Sequence, residues 1–468
     1  MKNKNLWLSL IITVAVVLLL TWIIPGTSYN DSGALTLGAI NPTGIWDVFY
    51  YLSMLLSWFG TNVVFILFLG VFYGVVNKTG ALRALVERIA SRFKKREKLF
   101  LLLTASFFIL VSSLTGINFP LLVFVPLFLG VILTLGFSKV TSLIATIASI
   151  LVGTMGSLYA TTLVSAVSSY VEPGISYGWY KFALIIAGLA IVNLYLFFTA
   201  KIVKGKEKEE IDEEMLFIEK TEGSKKTRIW PLVTAYAIIF VLYVLGLTPW
   251  ASMYNFSGFT TFHTNLLNVK IGSFAVFKSF LGASSVAFGA WDLADAATVL
   301  VILAVILVFI YKIKWEEVYK GVLAGLTKLL PTAALVLLVN IVFVMASQSG
   351  ALNTIIKALA DLTKGINIFT YSLASFIGAA IVNENYITSY VTGILNTVLG
   401  DSANVPLLLL IQQVMYGIAM LIAPTSVLLL VGLSYLEVGY TKWVKKTWLL
   451  TLILAIAGII AVSLAVIL

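Results

Sequence analysis

The chain predicts an all-α polytopic membrane protein made of two inverted repeats, each with a re-entrant hairpin and a broken transmembrane helix. Three observations carry that expectation. Of 468 residues, 60% are hydrophobic and 11% charged. Mean hydropathy is +1.03, which excludes a soluble globular domain and calls for many spans of roughly 20 apolar residues each. Polar clusters interrupt several apolar runs, and backbone freed at membrane depth is tolerated only inside protein or beside a wet cavity. Lastly, one order of segments occurs twice.

Residues 6–24 form the first span, too long for a cleaved signal and followed by no small-residue cleavage site, so it reads as an anchor. Residues 27–60 carry Asp31 and Asp47 but no Lys or Arg, and are expected outside; residues 62–76 return inward. In residues 80–98, Leu82, Leu85, Val86 and Ile89 share one helical face among basic residues, which predicts an amphipathic helix on the inner membrane surface. Residues 99–136 start and end beside basic residues, yet Ser112, Ser113, Thr115, Gly116 and Asn118 cluster near the middle. That predicts a hairpin entering from the cytoplasm. Residues 140–170 cross outward with a break at 153–162, and residues 179–203 come back. Residues 204–228, dense in both charge signs, predict a cytoplasmic linker between a first repeat at 1–203 and a second at 229–468.

The second part opens with a span at 230–247 and an outer loop at 248–296. A span at 298–311, a basic inner segment at 312–328 and a span at 330–346 follow. A second hairpin, 366–400, enters from outside with Val382-Asn383-Glu384-Asn385-Tyr386 at its tip. Residues 405–433 cross inward, broken at Pro424, and 443–467 end the chain outside. This arrangement leaves only Lys181, Lys270, Lys278, Lys357 and Lys364 of the 31 Lys and Arg on the outer side, as the positive-inside rule requires. The same rule explains the net charge of +10 without nucleic acid: basic residues punctuate the spans and form no single face. There is no cysteine and one histidine, His263. Disulfides, thiolate metal sites, histidine zinc sites and cysteine nucleophiles are thereby excluded.

The repeat is read from four matches in register. Gly80-Ala81-Leu82 matches Gly350-Ala351-Leu352, the first hairpin tip matches the second, the 153–162 break matches the Pro424 break, and Trp179 matches Trp443. The single span at 230–247 makes the second copy inverted. Inverted repeats with discontinuous helices are the architecture of secondary transporters.

The first helix after Gly80, the tips, the breaks and the ending Pro424-Thr425-Ser426 followed by Val438-Gly439-Tyr440-Thr441-Lys442-Trp443 resemble the C4-dicarboxylate anaerobic carrier family, in its YfcC-like branch. That branch is similar to arginine/ornithine antiporters within the ion transporter superfamily. The resemblance implies a scaffold and a transport domain per protomer, a homodimer, elevator-type movement, and small carboxylate or amino-acid substrates coupled to Na⁺ or H⁺. The sequence departs from the branch at Ile117-Asn118, Leu163-Val164, the Val382–Tyr386 tip and Met420.

The candidate substrate and ion ligands are Ser113, Thr115, Gly116 and Asn118 at the first tip; Thr154, Ser157, Thr161 and Thr162 at the first break; Asn383, Glu384 and Asn385 at the second tip; and Thr425 and Ser426 at the second break. Each has a plainer alternative. Glu384 can cap a helix in outer water, the asparagines can form turns, and the hydroxyls can bond back to their own helical turn. Against these stands the cost of a carboxylate inside a membrane, which makes Glu384 a functional candidate, and the capacity of half-helix N-termini to hold a carboxylate. Gln412 and Gln413 read as interhelical contacts. The expected function is an elevator-type carrier or exchanger of a small amino acid, arginine- or ornithine-like, or of a carboxylate across the cytoplasmic membrane. The alternatives are a C4-dicarboxylate or other organic anion carrier, and, outside transport, a membrane-embedded enzyme or scaffold. No catalytic residue, metal site or cofactor is expected beyond Na⁺ or H⁺ as coupling ion. The partners expected are membrane lipids, the small-molecule substrate and a second copy of the chain. No HExxH, GxSxG or GxxxxGK[ST] pattern supports an enzyme.

Overall fold

The computed structural model describes residues 4–31, 33–158, 177–203, 213–219, 227–282, 284–362, 367–382, 385–400 and 404–467. Among them, strands occur only as two small hairpins, β1 (Thr27–Tyr29) with β2 (Leu35–Leu37), and β3 (Lys270–Ile271) with β4 (Phe274–Ala275). All else regular is helical, and eight helices are long and apolar enough to cross a membrane. The protein is an all-α multi-pass membrane protein.

Helix α1 (Lys4–Ile23) leads through β1 and β2 to α2 (Ile45–Thr79). The 35 residues of α2 exceed the predicted span, because residues 45–60, expected as part of the outer segment 27–60, are helical; a Cβ at Gly60 would meet nothing within 4 Å, so that glycine breaks nothing. Gly80 then takes φ 67°, a left-handed turn that a glycine accommodates without strain, and α3 (Ala81–Phe93) follows. Its Leu82, Leu85 and Val86 are buried, and α3 packs on α5 (Val125–Thr134). The apolar stripe expected against lipid is therefore covered by protein.

Between them runs α4 (Glu97–Thr115), ended by Gly116 at φ 73°. A short 3₁₀ turn, Phe119–Val123, starts the return into α5, which gives the predicted hairpin with its turn at Gly116. Next, α6 (Lys139–Met155) contains a π-helical turn at Ile144–Ala148, where Ser149 Oγ donates to Ile144 O, and stops at Gly156. Helix α7 (Gly178–Thr199) packs on α4.

Of the charged linker, residues 213–219 are described, and they are not a solvated strand. Leu216, Phe217 and Ile218 are buried. Phe217 stacks on Tyr73 with ring centroids 5.5 Å apart, and Lys328 Nζ lies 4.1 Å over the same ring. Arg83 binds Glu213 at 2.8 Å and donates to Ile218 O, and that carboxylate raises the pKa of the Arg83 guanidinium.

Helix α8 (Trp230–Leu247) is followed by short helices α9 (Trp250–Tyr254), α10 (Gly258–Leu267) and α11 (Val276–Leu281). Helix α12 (Leu293–Tyr311) is capped by the Asp292 carboxylate, which accepts from the Ala294 and Asp295 amides. The 34-residue α13 (Trp315–Gln348) absorbs the segment predicted as a separate inner stretch, and passes through Pro331. Helices α2 and α13 cross at four glycines. A Cβ on Gly325 would lie 1.9 Å from Gly70 O, and one on Gly74 would lie 2.1 Å from Gly321 O. Such paired small residues four apart let membrane helices approach to backbone contact.

Gly350, at φ 72°, turns the chain into α14 (Ala351–Asp361), as Gly80 does before α3. Helix α15 (Ile368–Ile381) packs on α14 and on α17 (Val405–Ala419), with α16 (Asn385–Leu399) beside them. After residues 420–426, α18 (Val427–Tyr435) lies on the π-turn of α6, where a Cβ at Gly432 would sit 2.7 Å from Ile147. The long α19 (Tyr440–Ile467) closes the chain against α17 and α7.

Candidate functional site

Two helices stop inside the body of the protein, α6 after Met155 and α17 at Met420, and each stop is pinned to the hairpin beside it. At the first, Ser113 Oγ donates to Gly153 O at 3.0 Å, and the Leu158 amide donates to Ser113 O at 2.9 Å. Ser112 Oγ donates to Ile150 O at 2.9 Å. This approach needs Gly153, whose Cβ would stand 2.6 Å from that of Ser112. At the second, Thr425 Oγ1 donates to Ala380 O near the end of α15. Ser426 caps α18 by accepting from the Leu429 amide, while Trp443 Nε1 and Tyr440 OH donate to Leu421 O and Ile422 O.

The two breaks also meet each other. Gln413 Nε2, from α17, donates to Ser157 O and lies 3.4 Å from Thr154 O, so one side-chain amide ties α17 to the backbone at the end of α6. One turn on, a Cβ at Gly417 would be 2.7 Å from Met155 backbone. Gln412, its neighbour, is fully buried, and among the described residues neither its amide atoms nor the hydroxyls of the buried Ser372 and Ser375 on α15 have a hydrogen-bond partner. Residues 367–382 and 404–436 contain no charged side chain.

The predicted ligands separate into groups. Ser113, Thr154 and Ser157 are buried together at the first break, and Thr425 and Ser426 are buried at the second. Thr115 Oγ1 bonds back to Val111 O, and Asn118 accepts from its neighbouring Phe119 amide, so both act locally in shaping the tip. Gly116 supplies the left-handed turn. Thr161, Thr162, Asn383 and Glu384 lie outside the described residues, and of Asn385 only the backbone, opening α16, is described. Gln413 and Gly417 went unrecognised as site residues; the available signal was an amide pair in an otherwise charge-free apolar run. A small apolar cavity lies elsewhere, between α2, α5, α6, α13 and α18, lined by Tyr73, Phe217, Ile147, Leu329 and Gly432 among others. It carries no charge and is not where the helix ends converge.

Long apolar helices, two of the shorter ones ending inside the protein with their polar ends converging, define a multi-pass membrane protein with the construction of a secondary carrier. The chain belongs to the C4-dicarboxylate anaerobic carrier family, DcuC, whose family profile matches residues 5–467. It is similar in fold to the Alcanivorax borkumensis YdaH transporter, at 15% identity over 99% of this chain and 98% of that one, with a TM-score of 0.42. Neisseria gonorrhoeae MtrF, described in terms of antimetabolite efflux pumps, matches at 14% identity over 98% and 94% of the two chains, also at 0.42. No curated protein matches.

Proposed function

We propose that the protein exchanges or accumulates small carboxylates, C4-dicarboxylates foremost, by carrying them at the junction of the two broken helices. The observation that carries this reading is the Gln413 link between the breaks: helix ends from both parts of the chain share one buried polar locus, the kind of place where carriers built on discontinuous helices hold their substrate. Family membership supports the dicarboxylate over the cationic amino acid. The parts at 1–203 and 229–468 act as inverted repeats, with similar glycine turns at Gly80 and Gly350, and the working unit is an elevator-type homodimer in the cytoplasmic membrane. Its N-terminus and the 204–228 linker face the cytoplasm, and its C-terminus lies outside. Na⁺ or H⁺ supplies the driving force.

Counterflow in proteoliposomes tests the substrate. Vesicles loaded with succinate or fumarate should accumulate labelled succinate, while arginine and ornithine should not compete. Arginine–ornithine exchange without dicarboxylate exchange would overturn the reading, and no exchange of any solute would overturn transport altogether. Glu384 separates the two substrate classes further. As the coupling-proton carrier of a dicarboxylate porter, Glu384→Gln keeps exchange but loses pH-driven accumulation. As the partner of a cationic substrate, the same change weakens arginine binding by roughly two to three orders of magnitude, since breaking a buried pair costs about 3–5 kcal/mol.

A further inference from the structure

Lys181, in the first turn of α7, is the only Lys, Arg, His, Asp or Glu that is buried among the described residues. It is 9% exposed, whereas Trp179 and Phe182 on either side are 85% and 49% exposed. The positive-inside reading placed it among outer-side lysines, where a free ammonium would sit in water. Instead its Nζ points to the first break and lies 3.3 Å from Leu158 O. Among the described residues that is one long backbone contact for a group with three donors. No carboxylate pairs with it among the described residues.

A structural role is the plain alternative: a cation at the C-terminal end of α6 answers the partial negative charge there. That role is already partly filled, because Gln413 takes the carbonyls of Thr154 and Ser157. A helix end also offers only about half a charge, against a desolvation cost of several kcal/mol for a buried ammonium. A full negative charge balances the ammonium far better. The position is suitable as well, since the Leu158 amide is tied to Ser113 O and the Ser157 carbonyl to Gln413. The ammonium therefore stands one residue from the point where hairpin, break and second repeat meet.

We propose that Lys181 is the cationic anchor of the substrate, with its ammonium binding a substrate carboxylate at the first break. This rests on the carboxylate-carrier reading above and extends it to a named charge. The lysine stem lets the ammonium swing from Leu158 O to the ligand, and a point charge accepts a carboxylate without fixing its plane.

The experiment measures succinate exchange and the succinate-induced rise in melting temperature for the full-length protein in lipid nanodiscs or proteoliposomes, in wild type, Lys181→Gln, Lys181→Met and Lys181→Arg. Expected is an increase of about 10–100-fold in the half-saturating succinate concentration for Gln and Met, with the ligand-free melting temperature within a few degrees of wild type. Lys181→Arg, which keeps the charge, should recover most of the affinity. Unchanged half-saturation in Gln and Met would overturn the anchor. So would a lowered ligand-free melting temperature in Gln and Met with substrate affinity intact, since that is the signature of a helix cap. Should the variants be too unstable to assay, Lys181→Arg decides: an unaltered succinate dependence together with a folded Arg protein supports a charge requirement, and a folded Arg protein with no succinate response overturns it. Failure of the wild type to bind or exchange any carboxylate would overturn the underlying reading instead, and is distinguished by being seen before any substitution.

Discussion

Two of the helix crossings that join the first part of the chain to the second are built on opposite principles. Where α2 meets α13, Gly70, Gly74, Gly321 and Gly325 bring two backbones into direct contact. Where α6 meets α17, one glycine, Gly417, allows the approach, and a glutamine finishes it by donating to the Ser157 carbonyl just past the end of α6. Both helices of the glycine crossing continue through it, whereas both helices of the second crossing end near it. The difference shows how a membrane protein divides labour without hydrophobic driving force between helices. Dispersion between small residues fixes a frame, and hydrogen bonds to backbone join the helices where they end.

The largest expected effect breaks the frame. Gly325→Val places a Cβ 1.9 Å from Gly70 O, a backbone atom that cannot rotate away, so the penalty should exceed the usual overpacking cost of about 1–3 kcal/mol. Size-exclusion profiles in detergent should show loss of the monodisperse protein, with Gly60→Ala, which meets nothing within 4 Å, behaving as wild type. A monodisperse, thermally unaltered Gly325→Val would refute the packing. Next comes the polar junction. Gln413→Leu keeps the volume but removes the hydrogen bond to Ser157 O, at about 0.5–1.5 kcal/mol for a typical bond; exchange should fall at least about tenfold, with the glycine crossing intact and the protein still folded. Wild-type exchange in Gln413→Leu would show that the two breaks work independently. The smallest effects belong to the pins. Thr425→Val and Ser113→Ala each remove one hydrogen bond to a helical carbonyl, worth about 0.6–2 kcal/mol within membranes, and should lower the melting temperature slightly and additively because they lie at different breaks. Strong coupling between them in a double-mutant cycle would mean that the breaks move as one.

Legibility in the sequence followed the same division. The first hairpin could be read because Gly116 and Asn118 are turn formers inside an apolar run, and the second break because Pro424, followed by Thr425 and Ser426, interrupts an otherwise unbroken apolar run. The start of α2 could not be read, since residues 45–60 mix aromatic and polar groups that suit a loop or a lipid-facing helix equally well. The glycine crossing was invisible for a different reason: glycine at 70, 74, 321 and 325 signals flexibility or close packing only once its partner is known. Gln413 and Ser157 are 256 residues apart, and no local pattern encodes such a meeting. Residues 213–219 were misleading, because their charges suggest solvent while Leu216, Phe217 and Ile218 supply a small apolar anchor.

The glycine crossing also sets a clock for biogenesis. Gly70 and Gly325 lie roughly 250 residues apart in the chain, so at about 5–20 residues per second a ribosome takes about 12–50 s to deliver the second after the first. During that interval α2 is already inserted, with a shallow notch of bare backbone at Gly70 and Gly74 and nothing yet made that fits it. Lipid tails or an insertion factor must fill the notch and then leave it when α13 arrives, which makes displacement of that temporary cover an obligatory late step in assembly.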